Sequence, residues 1–368
     1  MKIKVSEKLN TLALAFGLDN PLFIVGGYVR NQICRLPSTD IDLASNLTLD
    51  EVKKLLPQNF EMKVKSKELN TCEIICGEES FEYATFRREV YKNGGVHTPY
   101  QINFDATIVE DVSRRDFTCN SLYYEIIKNK LIDFYGGEQD IKNKVLKTVE
   151  TPEFVLKNDG VRILRMIRFA SELNFVIENE TYIAAENHKD NLSKISKDRI
   201  RDEFVKIVNA NKTYQKIDRK SLFNKNRAYN GIKLIDKLDL WKYFSTDDRV
   251  SNIRGVGAYL NLFVKEKENP LLAFCVDAYF YLKRLNVVES PKDFETILLG
   301  QHGLNFAKVV KKEIFDTIKN LELALSLSGK GLSDKVAFVE KHLKGNGQLL
   351  RFLKVKDAKF YATIKKLL

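Results

Sequence analysis

The chain has 368 residues, with 60 lysines and arginines against 49 aspartates and glutamates, so its formal net charge at pH 7 is +11. Hydrophobic residues make up 44% and charged residues 30%, a balance that excludes an intrinsically disordered chain and a membrane-embedded one. The length predicts two or three domains, and the excess of positive charge indicates a polyanionic partner.

The cysteines and the apolar segments indicate the compartment. Five scattered cysteines do not form the even set of a disulfide-stapled domain, so a reducing environment is expected. The first residues lack the apolar core of a secretion signal. The longest apolar run, from Pro270 to Leu282, is too short to cross a bilayer and contains Asp277. These features predict a cytoplasmic protein without membrane association.

The first 150 residues mix helix-like and strand-like segments. A helical stretch from Glu7 to Phe16 precedes the apolar run from Leu22 to Val25, which ends in two glycines and leads into a second helical stretch. Further strand patterns lie at residues 72–76, 81–86 and 101–104. This order predicts an α+β domain with a small mixed or antiparallel sheet over residues 1–150.

After Pro152 the pattern becomes helical to the end of the chain. The segment from Asp159 to Leu173 carries apolar residues at the spacing of a helix with one buried face. A polar stretch near residue 210 separates a helical segment, residues 151–210, from an all-α region, residues 211–368. From Gly300 onward there are fourteen basic and six acidic residues, so +8 of the net charge of +11 lies in this last part.

Two close sequence features indicate phosphate chemistry. Gly26 and Gly27 end a strand where the chain turns into a helix, whose N-terminal N–H groups favour an anion that Arg30 would also contact. Asp40 and Asp42 are two residues apart, so on a strand both carboxylates project from one face. Close carboxylates repel each other unless cations lie between them, and Mg²⁺ is the usual occupant beside phosphate. The combination predicts a two-metal site for phosphoryl or nucleotidyl transfer.

The ordered motifs resemble those of a known family. They are Gly26-Gly-Tyr-Val-Arg30, Asp40-Ile-Asp42, Arg114-Arg-Asp-Phe-Thr-Cys-Asn-Ser-Leu122, Asp133-Phe-Tyr-Gly-Gly137 and Asp159-Gly-Val-Arg162. The set is similar to the successive motifs of class II tRNA nucleotidyltransferases and bacterial poly(A) polymerases, in the polymerase-β-like superfamily. The resemblance covers roughly residues 20–205. It implies a nucleotidyltransferase head over residues 1–150, a helical neck over 151–210 and a tRNA-binding body and tail over 211–368.

The resemblance also implies roles for single residues. Asp40 and Asp42 would bind two Mg²⁺ ions that activate the 3′-hydroxyl of the RNA and hold the triphosphate, with Glu82 as a candidate third catalytic carboxylate. Asp116 would orient the neighbouring arginines. The positions that match nucleotide-binding residues are Gly26, Gly27, Arg30, Arg115, Asp159, Arg162, Arg165 and Arg168.

Asp159 and Arg162 match the pair that selects the incoming base without a template. Cytosine and adenine both present an amino donor beside a ring-nitrogen acceptor, so a carboxylate and a guanidinium complement both bases. Uracil and guanine present a carbonyl in place of that amino group. The resemblance therefore implies addition of CCA to the 3′ end of tRNA from CTP and ATP.

Departures from the family pattern keep alternatives open. Asn31 and Asn158 stand where the family usually has acidic residues, and the Asn-Ser-Leu-Tyr-Tyr ending of the second motif is closer to poly(A) polymerases. The loop from Arg87 to Pro99 has the full length expected for CCA addition, but its end, His97-Thr-Pro99, is unusual. Poly(A) synthesis or addition of the terminal A alone therefore remains the alternative.

The basic C-terminal helices are expected to bind the RNA. Lys308, Lys311 and Lys312 fall at helical spacing, where they would contact phosphates without reading the sequence. A non-catalytic RNA-binding protein would have no use for the acidic residues of the head, so we disfavour that function. The sequence indicates no obligatory protein partner.

Overall fold

The computed structural model describes residues 3–91, 95–214, 227–244, 269–299 and 307–368, with the backbone alone for residues 296–299 and 307–311. The chain divides into two compact units, Met1–Ile195 and Ser196–Leu368. The predicted three-part division at residues 150 and 210 stays a prediction.

A seven-stranded mixed sheet organises the described part of the first unit. The sheet strands are β1 (Phe23–Val25), β2 (Asp42–Ser45), β3 (Glu61–Ser66), β4 (Thr71–Cys76), β5 (Glu79–Thr85), β8 (Tyr123–Glu125) and β9 (Lys130–Ile132). Their order in the sheet is β3-β4-β5-β2-β1-β8-β9, and all neighbouring pairs are antiparallel except β2 with β5. A separate hairpin joins β6 (Arg88–Val90) to β7 (Gln101–Asn103), and β10 (Val145–Leu146) pairs in parallel with β11 (Val176–Ile177).

Helices connect these strands. They are α1 (Glu7–Phe16), α2 (Gly27–Ile33), α3 (Leu49–Leu55), α4 (Ile108–Ser113), α5 (Gly137–Asn143), α6 (Pro152–Asn158), α7 (Val161–Leu173) and α8 (Asn179–His188). Short 3₁₀ helices lie at Thr118–Asn120 and Lys189–Lys194. Thr107 and Glu110 form a capping box that fixes the start of α4.

The sheet is held by an aromatic core on the face that leads to the site. Phe23 on β1, Phe86 after β5 and Tyr123 on β8 pack against one another with ring centroids 5.8–6.1 Å apart. Ala44 belongs to the same cluster, and Asp42 lies two residues before it on β2. Side chains two apart on a strand share a face, so the core orients Asp42 at the end of the cluster.

In the second unit every regular element that the structure describes is helical. These helices are α9 (Lys197–Val208), α10 (Ala210–Thr213), α11 (Arg227–Lys237), α12 (Trp241–Phe244), α13 (Pro270–Arg284), α14 (Pro291–Leu299), α15 (Ala307–Ser326), α16 (Leu332–Phe338), α17 (Gly347–Lys356) and α18 (Ala358–Lys365), with a π-helical turn at Val339–Leu343. Phe204 contacts Trp241, Phe244 and Phe274 with ring centroids 5.1–6.2 Å apart. A buried ion pair joins Asp277 to Lys356 at 2.9 Å.

The observed architecture confirms the predicted α+β domain followed by an all-α region. The predicted buried helix over Pro270–Leu282 is α13, which extends to Arg284. No helix among the described residues is both long and apolar enough to cross a bilayer.

The motif Asp133-Phe-Tyr-Gly-Gly137 has a structural role at the start of α5. The Asp133 carboxylate accepts hydrogen bonds from the backbone N–H groups of Gly137 and Glu138, both at 2.9 Å. A Cβ on Gly137 would lie 2.1 Å from the Thr118 carbonyl oxygen, so only glycine allows this approach. Gly136 has φ +73° but open space around it.

This difference predicts unequal effects of two adjacent substitutions. Gly137→Ala forces the backbone at residue 137 away from that of Thr118 and should lower the free energy of unfolding by more than about 3 kcal/mol. Gly136→Ala, the matched control, should cost about 1 kcal/mol because it only places alanine in a left-handed conformation. Urea unfolding of both variants measures the difference, and equal losses would contradict the close approach.

Candidate active site

The predicted phosphate-binding residues lie where β1 ends and β2 begins. Val25, the last residue of β1, pairs with Asp42, the first residue of β2. Gly26 follows with φ +67°, and its N–H donates to the Leu122 carbonyl at 3.1 Å. A Cβ there would lie 3.2 Å from Nη1 of Arg115 and 3.9 Å from Oδ2 of Asp42. Gly26 therefore lets a guanidinium and a carboxylate approach the same point of the backbone.

The three predicted carboxylates lie in one electrostatic neighbourhood. Asp42 is partly buried and is in register with Glu82 on the parallel strand β5. Burial raises the pKa of Asp42, and the charges of Glu82 and Asp40 raise it further, against the opposing effect of Arg115. A cation beside Asp42 would oppose these effects and favour the ionised carboxylate.

Asp40 departs from the expected geometry. The sequence argument places Asp40 and Asp42 on one strand, whereas β2 begins at Asp42 and Asp40 lies in the exposed segment before it. Strand pairing starts only at Asp42, opposite Val25, so the alternation of side chains does not fix the direction of Asp40. Thr39 donates a hydrogen bond to its carboxylate at 3.3 Å.

These acidic residues fit a hard divalent cation. Mg²⁺ is bound in proteins by one or two carboxylates, and water and substrate phosphates supply the other oxygens. Asp42 with Asp40 meets that requirement. Within the described residues no group of three acidic, histidine or cysteine side chains is arranged to hold a metal. Glu82 is exposed and pairs with Lys65.

Arg30 is buried and held by neutral acceptors. Its Nε and Nη2 donate to Oδ1 of Asn31 at 3.0 and 2.9 Å, and its Nη1 donates to Oδ1 of Asn120. A Cβ on Gly27 would lie 3.6 Å from Nη2 of Arg30. Asn31, where the family usually has an acid, therefore positions the guanidinium without neutralising it.

Asp111 is an acidic partner shared by the two motif arginines, which the sequence reasoning missed, and Arg114 also pairs with Glu89 at 3.3 Å. Arg114 donates to Oδ1 of Asp111 from Nε at 2.9 Å and from Nη2 at 2.7 Å. Arg115 lies 3.6 Å from Oδ2 of the same carboxylate. The available signal was spacing, since Asp111 precedes these arginines by three and four residues on α4, where side chains meet.

Asp116 lies against the helix of the predicted base-selecting residues. Its Oδ2 accepts from Nε of Arg165 at 2.7 Å, and its Oδ1 accepts from the N–H of Phe117 at 2.8 Å. Burial raises the pKa of Asp116, but the charges of Arg165 and Arg162 outweigh burial and lower it to about 2. The arginine that Asp116 positions in the structure is thus Arg165.

Asp159 and Arg162 are both buried at the start of α7. Oδ1 of Asp159 accepts from the N–H of Val161 at 3.0 Å, and Oδ2 lies 3.8 Å from Nε of Arg162. Arg162 donates from Nη2 to the Arg114 carbonyl at 2.7 Å. His97, from the loop of residues 87–99, contacts Oδ2 of Asp159 through Nδ1 at 2.8 Å. The loop therefore reaches the carboxylate predicted to read the base.

One aromatic ring lies among three arginines. The guanidinium groups of Arg30 and Arg165 each lie 5.2 Å from the ring centre of Phe169, and that of Arg168 lies 4.1 Å away. Arg168 also pairs with Glu172 at 3.5 Å. Because a ring face attracts cations, Phe169 orients these side chains from α2 and α7 around one point.

A cavity of about 510 Å³ lies beside Arg162. Its walls combine basic, acidic, aromatic and amide side chains, among them Arg114, Glu89, Glu110, Glu150, Tyr91, Phe154 and Asn158.

The predicted RNA-binding lysines lie on α15. Lys312 is exposed, as a phosphate contact requires. The side chains of Lys308 and Lys311 lie outside the described residues.

The Asp116–Arg165 pair predicts a pH-dependent stability. Asp116→Asn leaves Arg165 without its buried anion and should cost about 2 kcal/mol of unfolding free energy at pH 7. Because the native pKa lies near 2, below the ordinary value of about 3.9, the wild-type advantage is complete above about pH 5 and shrinks as pH falls through 4 towards 2. Urea unfolding at several pH values tests this, and a difference that does not vary with pH would contradict it.

Known protein families contain sequences similar to this chain. Residues 22–147 match the poly(A) polymerase head domain, and residues 174–219 match the probable RNA- and SrmB-binding site of polymerase A. The CCA-adding enzyme of Lactobacillus helveticus is 34% identical over 206 residues, which are 56% of this chain and 49% of that protein. That of Bacillus subtilis is 32% identical over 203 residues, 55% of this chain and 50% of that protein. The chain spans about half the length of these relatives.

Solved structures share the fold. The CCA-adding enzyme of Bacillus stearothermophilus with CTP matches 98% of this chain and 81% of that one, with a TM-score of 0.65 and 20% identity. The Thermotoga maritima CCA-adding enzyme with tRNA matches 98% and 82%, with a TM-score of 0.67 and 19% identity. Residues 22–147 are thus similar to the head domain of poly(A) polymerases, and the chain shares the fold of these CCA-adding enzymes.

Proposed function

We propose that this protein adds CCA to the 3′ end of tRNA from CTP and ATP by template-independent nucleotidyl transfer. The observation that carries the proposal is the approach of Arg115 and Asp42 to Gly26 at the end of β1. In the proposed reaction Arg115 would bind a phosphate and Asp42 a metal ion, side by side at this turn of the head domain. The proteins that match the chain over this domain are named as CCA-adding enzymes, which favours tRNA as the substrate.

The head would hold the triphosphate and the metal. Arg30 and Arg115 would contact the phosphates near the N-terminal N–H groups of α2, where anions are favoured. Asp40 and Asp42 would bind two Mg²⁺ ions, which activate the 3′-hydroxyl for attack on the α-phosphate and neutralise the triphosphate. Glu82 would reach this site only after leaving Lys65. A bound cation would also lower the pKa of Asp42, which burial and the charges of Glu82 and Asp40 raise.

The neck would select the base. Asp159 would accept a hydrogen bond from the amino group of cytosine or adenine, and Arg162 would donate a hydrogen bond to the adjacent ring nitrogen. In the structure the imidazole of His97 contacts Oδ2 of Asp159, so an incoming base would displace it from that oxygen. Arg165 and Arg168 would contribute positive charge near the phosphates, held by Asp116 and Phe169.

Addition of the terminal A alone, or poly(A) synthesis, is the second candidate function. The observation that favours it is the Asn-Ser-Leu-Tyr-Tyr ending of the second motif, in which Asn120 holds Arg30 and Tyr123 holds Arg115. We propose the cytoplasm as the compartment, since all five cysteines are free thiols. Exposed Lys312 would bind RNA phosphate, and Lys308 and Lys311 would join it on α15.

Substitution of the metal-binding carboxylates should abolish transfer but not tRNA binding. Asp42→Asn and Asp40→Asn should each lower kcat by about 1000-fold, because the metal supplies several kcal/mol of transition-state stabilisation. Asp50→Asn, the same change at an exposed position of α3, is the matched control and should keep full activity. Incorporation of labelled CTP and a tRNA gel-shift assay measure both properties. Unchanged activity of Asp42→Asn would refute the metal site.

The products distinguish CCA addition from its alternatives. Transcripts that end in the discriminator base, in C or in CC should each be completed to CCA when CTP and ATP are both present. A terminal A added only to the CC transcript would show an A-adding enzyme. A long A tail on unrelated RNA would show a poly(A) polymerase.

Base selection should depend on Arg162. Arg162→Ala removes the donor to the ring nitrogen and should reduce the preference for CTP over UTP by about 10- to 100-fold in kcat/KM. Lys157→Ala removes an exposed cation from the last turn of α6 and should leave this preference unchanged. Single-nucleotide incorporation with each triphosphate measures it, and an unaltered ratio in Arg162→Ala would contradict the role.

A further inference from the structure

Asp111 is a buried carboxylate at the junction of three elements. It lies on α4 with 1% of its surface exposed. Its Oδ1 accepts the backbone N–H of Arg87 at 3.0 Å, where the loop of residues 87–99 begins. The same oxygen accepts two hydrogen bonds from Arg114. One side of the carboxylate thus joins the start of the loop to the first arginine of the motif.

The other oxygen, Oδ2, interacts with Arg115 both through the Tyr123 hydroxyl and directly. Tyr123 donates its hydroxyl hydrogen to Oδ2 of Asp111, and the hydroxyl oxygen accepts from Nε of Arg115 at 2.7 Å. Nη2 of Arg115 lies 3.6 Å from Oδ2. The guanidinium also lies over the Tyr123 ring, 4.8 Å from its centre. Arg115 is therefore held on one edge while its Nη1 lies beside Gly26.

Electrostatics keep Asp111 ionised. Burial raises its pKa, but the charges of Arg114 and Arg115 outweigh burial and lower it below the ordinary value. A buried anion is tolerated only when its oxygens are satisfied, and here five N–H or O–H groups surround it. An amide at this position keeps only one acceptor oxygen, so it cannot accept from the donors on both sides of Asp111 as the carboxylate does.

We propose that Asp111 is a positioning residue that fixes Arg115 beside Gly26 and Asp42 and ties it to the start of the loop at Arg87. This rests on the proposed function, in which Arg115 contacts the triphosphate. Asp111 touches no substrate in this arrangement and acts through Arg115 and Tyr123. A flexible arginine would lose rotamer freedom on binding each nucleotide, whereas a prefixed one does not. Loss of Asp111 therefore weakens nucleotide binding more than it slows the chemical step.

A double-mutant cycle tests the proposal. Asp111→Asn should raise KM for CTP and ATP about 10-fold with kcat changed less than about 3-fold, the pattern of lost binding. Arg115→Ala should raise KM at least as much. The double variant should be no worse than Arg115→Ala alone, because residues that act through one another are not additive. Asp105→Asn, an exposed change just before α4, is the matched control with unchanged KM.

Tyr123→Phe covers the case in which Asp111→Asn does not fold. It keeps the ring and the bonds of Asp111 to Arg87 and Arg114, and removes only the hydroxyl between Asp111 and Arg115. Tyr123→Phe should raise KM about 3-fold. Added to Arg115→Ala, it should raise KM no further. Thermal unfolding monitors the fold of each variant, and calorimetric titration with CTP measures binding without turnover.

The outcomes separate this inference from the proposed function. A wild-type protein that binds CTP but extends no tRNA would refute CCA addition, while the binding cycle would still report on Asp111. If the wild-type protein is active and the increases in KM from Asp111→Asn and Arg115→Ala multiply in the double variant, the positioning role is overturned. Wild-type affinity in Asp111→Asn or in folded Tyr123→Phe would overturn it as well.

Discussion

The arrangement of the candidate site depends on burying guanidinium groups against fixed acceptors. Arg30 is held by amide oxygens, Arg114 and Arg115 by Asp111, and Arg165 by Asp116. A guanidinium loses water when buried, and only acceptors in its plane repay that cost. Each acceptor is set by a different part of the head or by the turn that follows α4. These parts must therefore fold together before the arginine side chains lie in place.

This dependence explains why the motifs are also structural elements. The Asp133-Phe-Tyr-Gly-Gly137 segment caps α5 and lets it approach the turn at Thr118, which belongs to the Arg-Arg-Asp-Phe motif. That turn carries Asn120, the acceptor of Arg30. This segment thus contributes to the position of Arg30 through backbone packing. Substitution there acts on stability and on the position of Arg30 together.

The sequence predicted what depends on local pattern and on motif order. The α+β head, the helical remainder and the glycine turn into α2 follow from periodicity, and the site residues followed from the resemblance. It did not predict that Asp40 lies outside β2, because strand pairing begins opposite Val25. Nor did it predict the contacts Asp111–Arg115, Lys65–Glu82 and His97–Asp159, which join distant segments. Such contacts depend on tertiary packing, which no local pattern contains.

The replacement of an acid by Asn31 follows from the same balance of charge. An acid beside Arg30 would compete with a phosphate for the guanidinium, whereas the amide oxygen orients it and leaves its charge intact. Arg115, by contrast, shares an anion with Arg114 and lies near Asp42. The two arginines are therefore held differently: Arg30 is oriented by amide oxygens, and Arg115 shares the Asp111 carboxylate and lies beside Asp42. In the proposed function, Mg²⁺ at Asp42 would weaken the attraction between that carboxylate and Arg115, so phosphate binding by Arg115 and metal binding would be linked.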